Sequence, residues 1–284
     1  MGTDSLRLSV GRPKMGPLRT IADTIRSVQH RRRLLLYLTV AKVRQDGANS
    51  LLGNLWLVLD PAIQLGIYFF LVGVVLNRPQ PNFPLFLFAA ILPWRWFTMA
   101  ISSATESVRQ RDKVMRQIAF PQIVLPLSAI AASTASFLFG LIPLFALYIL
   151  YPARLTSWVF FLPVVITVQI LWTLPFAIVL SALNVFFRDI GSLVRHGLRL
   201  AFYISPALFS FEKIQGILAP YPPAPLLLEL NPMAWILNAY RDLLYEGQSA
   251  DWMALLVVAA SSIPFTLLSI YIFRRLAPSF VKVM

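Results

Sequence analysis

The sequence predicts an all-α, polytopic membrane protein: six transmembrane helices, an amino-terminal amphipathic helix in the membrane interface, and an external re-entrant helical segment. Three observations carry that expectation. First, six stretches are apolar and long enough to cross a bilayer, at residues 55–76, 83–104, 123–150, 158–187, 194–210 and 252–273. An apolar bilayer core of ~30 Å takes about 20 helical residues, and longer stretches tilt or run past the interface. Second, charged residues make up only 13% of the chain against 58% hydrophobic ones, roughly half the charge of a soluble domain. Third, when the chain is threaded back and forth through the six stretches, 20 of its 25 Lys and Arg residues fall on one face.

That face holds ten basic residues ahead of the first stretch and Arg109, Arg111, Lys113 and Arg116 in the second connection. It also holds Arg188, Arg195 and Arg199 around the fourth connection, and Arg274, Arg275 and Lys282 in the tail. The opposite face has only Arg78, Arg154, Lys213 and Arg241, and Arg95 lies within a span. Basic residues near span ends are retained in the cytoplasm, so the reading is an inner-membrane protein with both termini cytoplasmic. The net charge of +13 then meets anionic membrane lipids, and no nucleic-acid partner is expected. Cysteine is absent, which removes disulfides, thiolate metal sites and a cysteine nucleophile. The first 33 residues are polar and basic, so no cleavable signal peptide is expected.

Along the chain, residues 1–27 lack periodicity and are expected to form a mobile basic tail. Residues 28–54 are expected to form the interfacial helix, because Arg31-Arg32-Arg33 precedes a leucine-rich run followed by Lys42, Arg44 and Asp46. Such a helix lies apolar side down in the cytoplasmic interface, as a plain anchor or as a partner- or substrate-binding element. Residues 55–284 are the six-span domain. Asp60-Pro61 offers an N-cap and first-position proline, so a helix is expected to restart there. Asp60 then lies ~8 Å inside the cytoplasmic boundary, and Arg95 ~13 Å inside on the second span. They are the only acid and base well inside the spans, which leaves two uses: a structural Asp60–Arg95 tie, or contact of Arg95 with an anionic substrate.

The cytoplasmic connection 106–121 is dense in charge and long enough for two or three helical turns. It is either a docking helix or a solvated charge run. The outer connection 211–250 is apolar. Asn231-Pro232 starts a helix and Gly247 stops it, and Ile236, Leu237, Tyr240 and Leu244 recur at helical spacing. Asn238 and Arg241 are its polar positions, expected to face water. About fifteen residues reach only ~22 Å, too short to cross, so the segment lies in the outer interface or re-enters the membrane. Non-helical backbone at that depth is tolerated only against protein or beside a water-filled cavity, which hints at a gate. No phosphate-binding loop, no metal-ligand spacing around His30 or His196, and no carboxylate relay are present in the sequence. Catalytic and metal residues are therefore not expected, and the energy source is expected on another chain.

The order of several short motifs resembles the membrane subunit of bacterial ABC exporters of the type 2 permease family, in the branch exporting O-antigen, capsule or teichoic-acid polymers. The series is Leu52-Gly53-Asn54-Leu55-Trp56 through Asp60-Pro61, then Phe83-Pro84-Leu85-Phe86-Leu87 and Trp94-Arg95-Trp96-Phe97. Ile118-Ala119-Phe120-Pro121, Leu125-Pro126 and Asn184-Val185-Phe186-Phe187-Arg188-Asp189-Ile190-Gly191 follow. Ser205-Pro206 and Leu230-Asn231-Pro232 leading to Tyr240-Arg241 complete it.

The resemblance implies a homodimer with the passage between its copies, two copies of a separate cytoplasmic ATPase that binds ATP and Mg, and a polymer linked to polyprenyl pyrophosphate as substrate. No cofactor is then bound by this chain. It implies ATPase contact through the interfacial helix and through Glu106, Arg109, Arg111, Asp112, Lys113 and Arg116, with an outer gate at Ile236, Leu237, Tyr240 and Leu244. Aromatic faces pack on sugar C–H surfaces, which makes Tyr68, Trp94, Trp96, Phe97, Trp172, Phe176 and Tyr203 the expected path residues. The same residue types also mark interfaces and fill bundles. Lys42, Arg44 and Arg188 are placed to receive the pyrophosphate, or to act as snorkelling anchors. Two alternatives stand beside this reading: a drug or small-lipid exporter of the same superfamily, and a membrane-embedded transferase acting on the lipid carrier. An ion-coupled carrier is disfavoured by the missing carboxylates.

Overall fold

A computed structural model describes residues 17–47, 52–75, 81–111, 120–221 and 223–283. Among these residues all regular structure is helical. The helices are α1 (Pro17–His30), α2 (Arg32–Gly47), α3 (Trp56–Tyr68), α4 (Phe83–Ser107), α5 (Val124–Leu150) and α6 (Leu162–Phe186). They continue with α7 (Ile190–Ile204), α8 (Phe211–Leu218), α9 (Ala224–Glu229), α10 (Pro232–Arg241) and α11 (Trp252–Val283). Helix α3 runs on as a π-helix over Phe69–Val75, and α10 over Asp242–Glu246.

Four helical segments are long and apolar enough to cross a membrane: Phe83–Ser107, Val124–Leu150, Ser157–Phe186 and Trp252–Phe280. Trp56–Leu71 is a shorter apolar helix. The stretch expected at 194–210 is instead the 15-residue α7, which rises ~22 Å. It stops at Ser205 because a residue before proline is pushed out of the helical region, and Ser205 has φ −86° and ψ 151°. The restart expected at Asp60 does not occur. Helix α3 begins at Trp56 and carries Pro61 in its interior, a position membrane helices tolerate when neighbours satisfy the freed carbonyl.

Helix α4 is the axis of the fold, packed by α5, α6, α10, α7 and α3. Gly140 sets how closely α5 approaches it, since a Cβ there would meet Leu92 Cδ1 at 2.7 Å. Helix α11 packs along α6, and α2 along α5. The end of α4 (Val108), the start of α5 (Val124), the end of α6 (Val185) and the end of α11 (Phe280) share one hydrophobic cluster. Ile21 of α1 and Leu38 of α2 join it. Helices α4, α6 and α11 therefore run one way and α5 the other, with the amino-terminal helices at the end where α4, α6 and α11 finish.

Two expectations for the amino terminus change. Among the described residues the supposed tail over 1–27 is helical from Pro17, because Ile21, Thr24 and Val28 form a stripe against α11. Arg274 Nε donates to Thr24 Oγ1 at 2.7 Å. The helix expected over 28–54 is α2, which buries Leu38 against the bundle and leaves Leu36, Tyr37 and Val40 exposed.

The outer segment is sunk into the protein. Asn231 Oδ1 accepts from the Met233 amide at 3.1 Å, capping α10, and Gly247 ends the helical run at φ +70°. Tyr148 donates to Leu244 O at 2.6 Å, Arg154 to Tyr245 O at 3.1 Å, and Tyr245 to Pro81 O at 2.8 Å. Arg241 is the strongest tie. Its guanidinium donates to the Pro206, Phe209 and Ala207 carbonyls and lies 4.2 Å over the Phe86 ring.

Candidate functional site

Three helices line two neighbouring cavities, and α6 and α7 each present one face to both. On α6 it is Trp172, Phe176, Leu180 and Asn184, spaced every four residues. From α4 come Trp94, Phe97 and Ile101 and, on another face, Glu106, with Arg109 in the short turn that follows. On α7, running the opposite way, it is Gly191 and Arg195, then Leu198 and Ala201. The upper cavity is about 480 Å³, roofed by Leu227, Asn231, Pro232 and Met233 of the outer segment. The lower cavity is about 330 Å³ at the α6–α7 turn, where Arg188 and Gln110 also enter the wall.

The upper cavity is apolar. The two polar side chains at its edge bond each other, Asn231 Nδ2 donating to Ser205 Oγ at 3.0 Å. The lower cavity is basic. Arg195 Nη1 sits 2.8 Å from Glu106 Oε1, and its Nη2 donates to Ser192 Oγ at 3.0 Å. The other Glu106 oxygen accepts from Gln110 at 2.9 Å. Asn184 fixes the turn by donating to Thr105 O at 3.0 Å and accepting from the Gly191 amide at 3.1 Å. Among the described residues Arg109 and Arg188 have no carboxylate partner.

The expected path aromatics divide. Trp94, Phe97, Trp172 and Phe176 line the upper cavity. Trp96, two residues round the helix from Trp94, points the other way and is buried 5.4 Å from the Phe137 ring. Tyr68 and Tyr203 reach the upper cavity only through Phe202, which lies 6.0 Å from Tyr68, 5.8 Å from Trp94 and 5.4 Å from Tyr203. Tyr203 itself is exposed. Arg188, expected at lipid entry, shares the lower cavity with Glu106 and Arg109, expected at the ATPase contact. Lys42 and Arg44 are on α2 and do not line it, and Arg111 ends the short turn after α4. Asp112, Lys113 and Arg116 lie outside the described residues.

Asp60 and Arg95 meet. Arg95 Nη2 is 3.1 Å from Asp60 Oδ2, and Nη1 donates to Gln64 Oε1 at 3.0 Å. Ile236, Leu237, Tyr240 and Leu244 are fully buried in the core beside α4. The outer-segment residues that face a cavity are instead Leu227, Asn231, Pro232 and Met233. Arg241 is a correction: expected to face water, it is 3% exposed, because only there do its donors meet three carbonyls. Burial pulls its pKa down to about 9, partly offset by Glu212, Asp242 and Glu246, so the cation persists at neutral pH. Burial likewise pushes the Asp242 carboxyl up, against the hydrogen bond from Gln248.

Helix α7 was under-read. Its start at Ile190, four residues before the expected 194, sets Arg195, His196 and Arg199 a turn deeper in the helix, on an exposed face with Ser192, Leu200 and Tyr203. Arg199 stands ~14 Å above the helix start. Ionisable groups at such depth mark substrate paths or water-filled cavities. An amphipathic face in the helical register was the signal for this role.

A helical membrane protein with an exposed, arginine-bearing helix face at membrane depth has the features expected of a transport subunit. Comparison with known proteins makes that class specific. The family described as ABC-2 type transporter matches residues 33–245, and the chain belongs to it, as the membrane-spanning subunit of an ABC transporter. It is 32% identical over 239 residues to the O-antigen export system permease protein RfbA of Myxococcus xanthus, covering 84% of this chain and 90% of that one. It is 28% identical over 254 residues to the protein of that name from Klebsiella pneumoniae, covering 88% and 95%.

Proposed function

We propose that two copies of this chain form the passage of an ATP-driven exporter that moves a polyprenyl-pyrophosphate-linked surface polysaccharide, of the O-antigen type, across the bacterial inner membrane. Two copies of a separate ATPase hydrolyse ATP on the cytoplasmic side. The observation that carries the passage is the exposed face of α7. Ser192, Arg195, His196, Arg199 and Tyr203 on one helix face are incompatible with hydrocarbon, so the face fits a water-filled path against a second copy. The relatives named as O-antigen export permeases support the cargo class.

In this arrangement α3 with its π extension, and α7 continued by the non-helical stretch 205–210 against the protein, complete six crossings, with both termini cytoplasmic. The connection from Glu106 and α1–α2 contact the ATPase, and the outer segment roofs the path. Deleting the chain from its host should leave carrier-linked polymer inside the cell. The wild-type chain should restore surface polymer, and Arg199→Glu should not, although it reaches the membrane at normal level. Unchanged surface polymer after deletion would remove this proposal.

A further inference from the structure

We propose that the pocket between α1, the entry to α5 and the end of α11 is a binding site for the headgroup of an anionic phospholipid, with Arg274 holding its phosphate. The occupant is a component of the surrounding membrane, and the site does not depend on the exporter's cargo.

The pocket, of about 240 Å³, lies between Thr24 and Ser27 of α1, Gln122 and Ile123 ahead of α5, and Arg274 and Pro278 of α11. Among the described residues its wall has one cation and no carboxylate. Arg274 is fixed on one edge, where Nε donates to Thr24 Oγ1 at 2.7 Å. Its two terminal nitrogens have no hydrogen-bond partner among the described residues. Such a pair of parallel donors matches two phosphate oxygens. The Gln122 side chain, also without a partner among these residues, adds a neutral donor. Acceptors are present too. Ser27 Oγ gives its proton to Thr24 O at 2.7 Å and keeps only lone pairs. Pro278, inside α11, has no N–H for the Arg274 carbonyl four residues before it. A bare phosphate leaves those acceptors unpaired, whereas a phosphoglycerol headgroup, with hydroxyls beside its phosphate, serves both kinds.

Depth selects a lipid. Trp252 opens α11 and packs 5.3 Å from Phe161, which lies 5.6 Å from Trp158. Aromatic groups of this kind mark a membrane interface. From Trp252 to Arg274 the helix rises ~33 Å, and the apolar core is ~30 Å thick. Arg274 therefore reaches the head-group level of the opposite leaflet, which is cytoplasmic in the proposed topology. Basic pockets between membrane helices on that side are suited to anionic headgroups. Seven and eleven residues before Arg274, on the same face of α11, stand the partly buried Leu267 and the exposed Ile263. That stripe is apolar surface for an acyl chain running toward the membrane centre.

The test is a lipid titration of the full-length, detergent-purified protein, read by native mass spectrometry. The probes are phosphatidylglycerol, phosphatidylcholine and soluble sn-glycerol 1-phosphate, and thermal melting of each variant is the folding control. Phosphatidylglycerol should bind about tenfold more tightly than phosphatidylcholine, whose trimethylammonium meets the Arg274 cation and carries no hydroxyls. Arg274→Gln should weaken phosphatidylglycerol binding by about tenfold, and Arg274→Lys by less. Gln122→Leu, which breaks no bond among the described residues, should also weaken it. Arg275→Gln makes the same charge change one residue on, where the guanidinium is bonded to Tyr271 instead, and should change binding little. Equal losses from Arg274→Gln and Arg275→Gln would reduce the site to surface attraction. Binding untouched by Arg274→Gln in folded protein would remove it. Glycerol phosphate binding as tightly as the lipid would overturn the assignment to a lipid. Intact lipid binding with weakened ATPase association in Arg274→Gln would make the pocket a protein contact, and the proposal would fail.

Discussion

Arg95 illustrates how one buried-depth charge is accommodated. Its two terminal nitrogens are split between Asp60 and Gln64, at 3.1 and 3.0 Å, so it joins α3 to α4. The Asp60 side chain is 48% exposed, which tempers the strength of the pair. Residues in contact show coupling of about 0.5–3 kcal/mol in double-mutant cycles, and the lower part of that range is expected for this partly exposed pair. Asp60→Asn should lower thermal stability, and Asp60→Asn combined with Arg95→Gln should recover part of the loss. Additive losses in the cycle would mean that the bond is absent from the folded protein. The pair was legible in the sequence from its isolation and depth alone. Gln64 was not, because an uncharged amide in an apolar run signals nothing until its partner is placed.

The outer segment shows the limit of periodicity as a guide to elements. Asn231-Pro232 and Gly247 marked the ends of the helical run, since cap chemistry is local. The apolar repeat Ile236, Leu237, Tyr240 and Leu244 specified a buried face without saying what buries it, and the answer is α4 rather than a passage. Arg241 completes the burial, joining α10 to the turn after α7. A side chain donating to three carbonyls has no equivalent among other residue types. Arg241→Lys is expected to destabilise by about 2–3 kcal/mol, the scale of lost charge-assisted hydrogen bonds, and Arg241→Ala by more. Thermal unfolding of the purified variants checks this, and equal stability of the two variants would show that the guanidinium geometry is immaterial. Helix α7 failed differently. Hydropathy placed its start at 194, four residues late, so Arg195 and Arg199 stood close to the expected boundary, whereas they lie five and nine residues beyond the helix start and face the basic cavity and the exposed side. Trp96 is the reverse case: at two residues from Trp94 its opposite orientation follows from 3.6 residues per turn.

At the scale of the whole molecule, the chain has an axis helix, α4, surrounded by apolar helices running in both directions, and two cavities lined by α4, α6 and α7. The exposed face of α7 carries charge at a depth where lipid is unsuitable. One protomer leaves that face open, which is the reason a second copy is required by the account. The absence of cysteine from the sequence makes the decisive measurement clean. Single cysteines introduced by Leu200→Cys and Tyr203→Cys on α7, and by Ile149→Cys on the exposed side of α5 as the control, are treated in intact membranes with bifunctional maleimides of graded length. The account predicts covalent dimers from both α7 positions, and arrest of surface-polymer export in proportion to dimer formed, with little effect at Ile149. Efficient dimers through α7 with export undiminished, or dimers from Ile149 but neither α7 position, would contradict a passage formed between two copies along this helix.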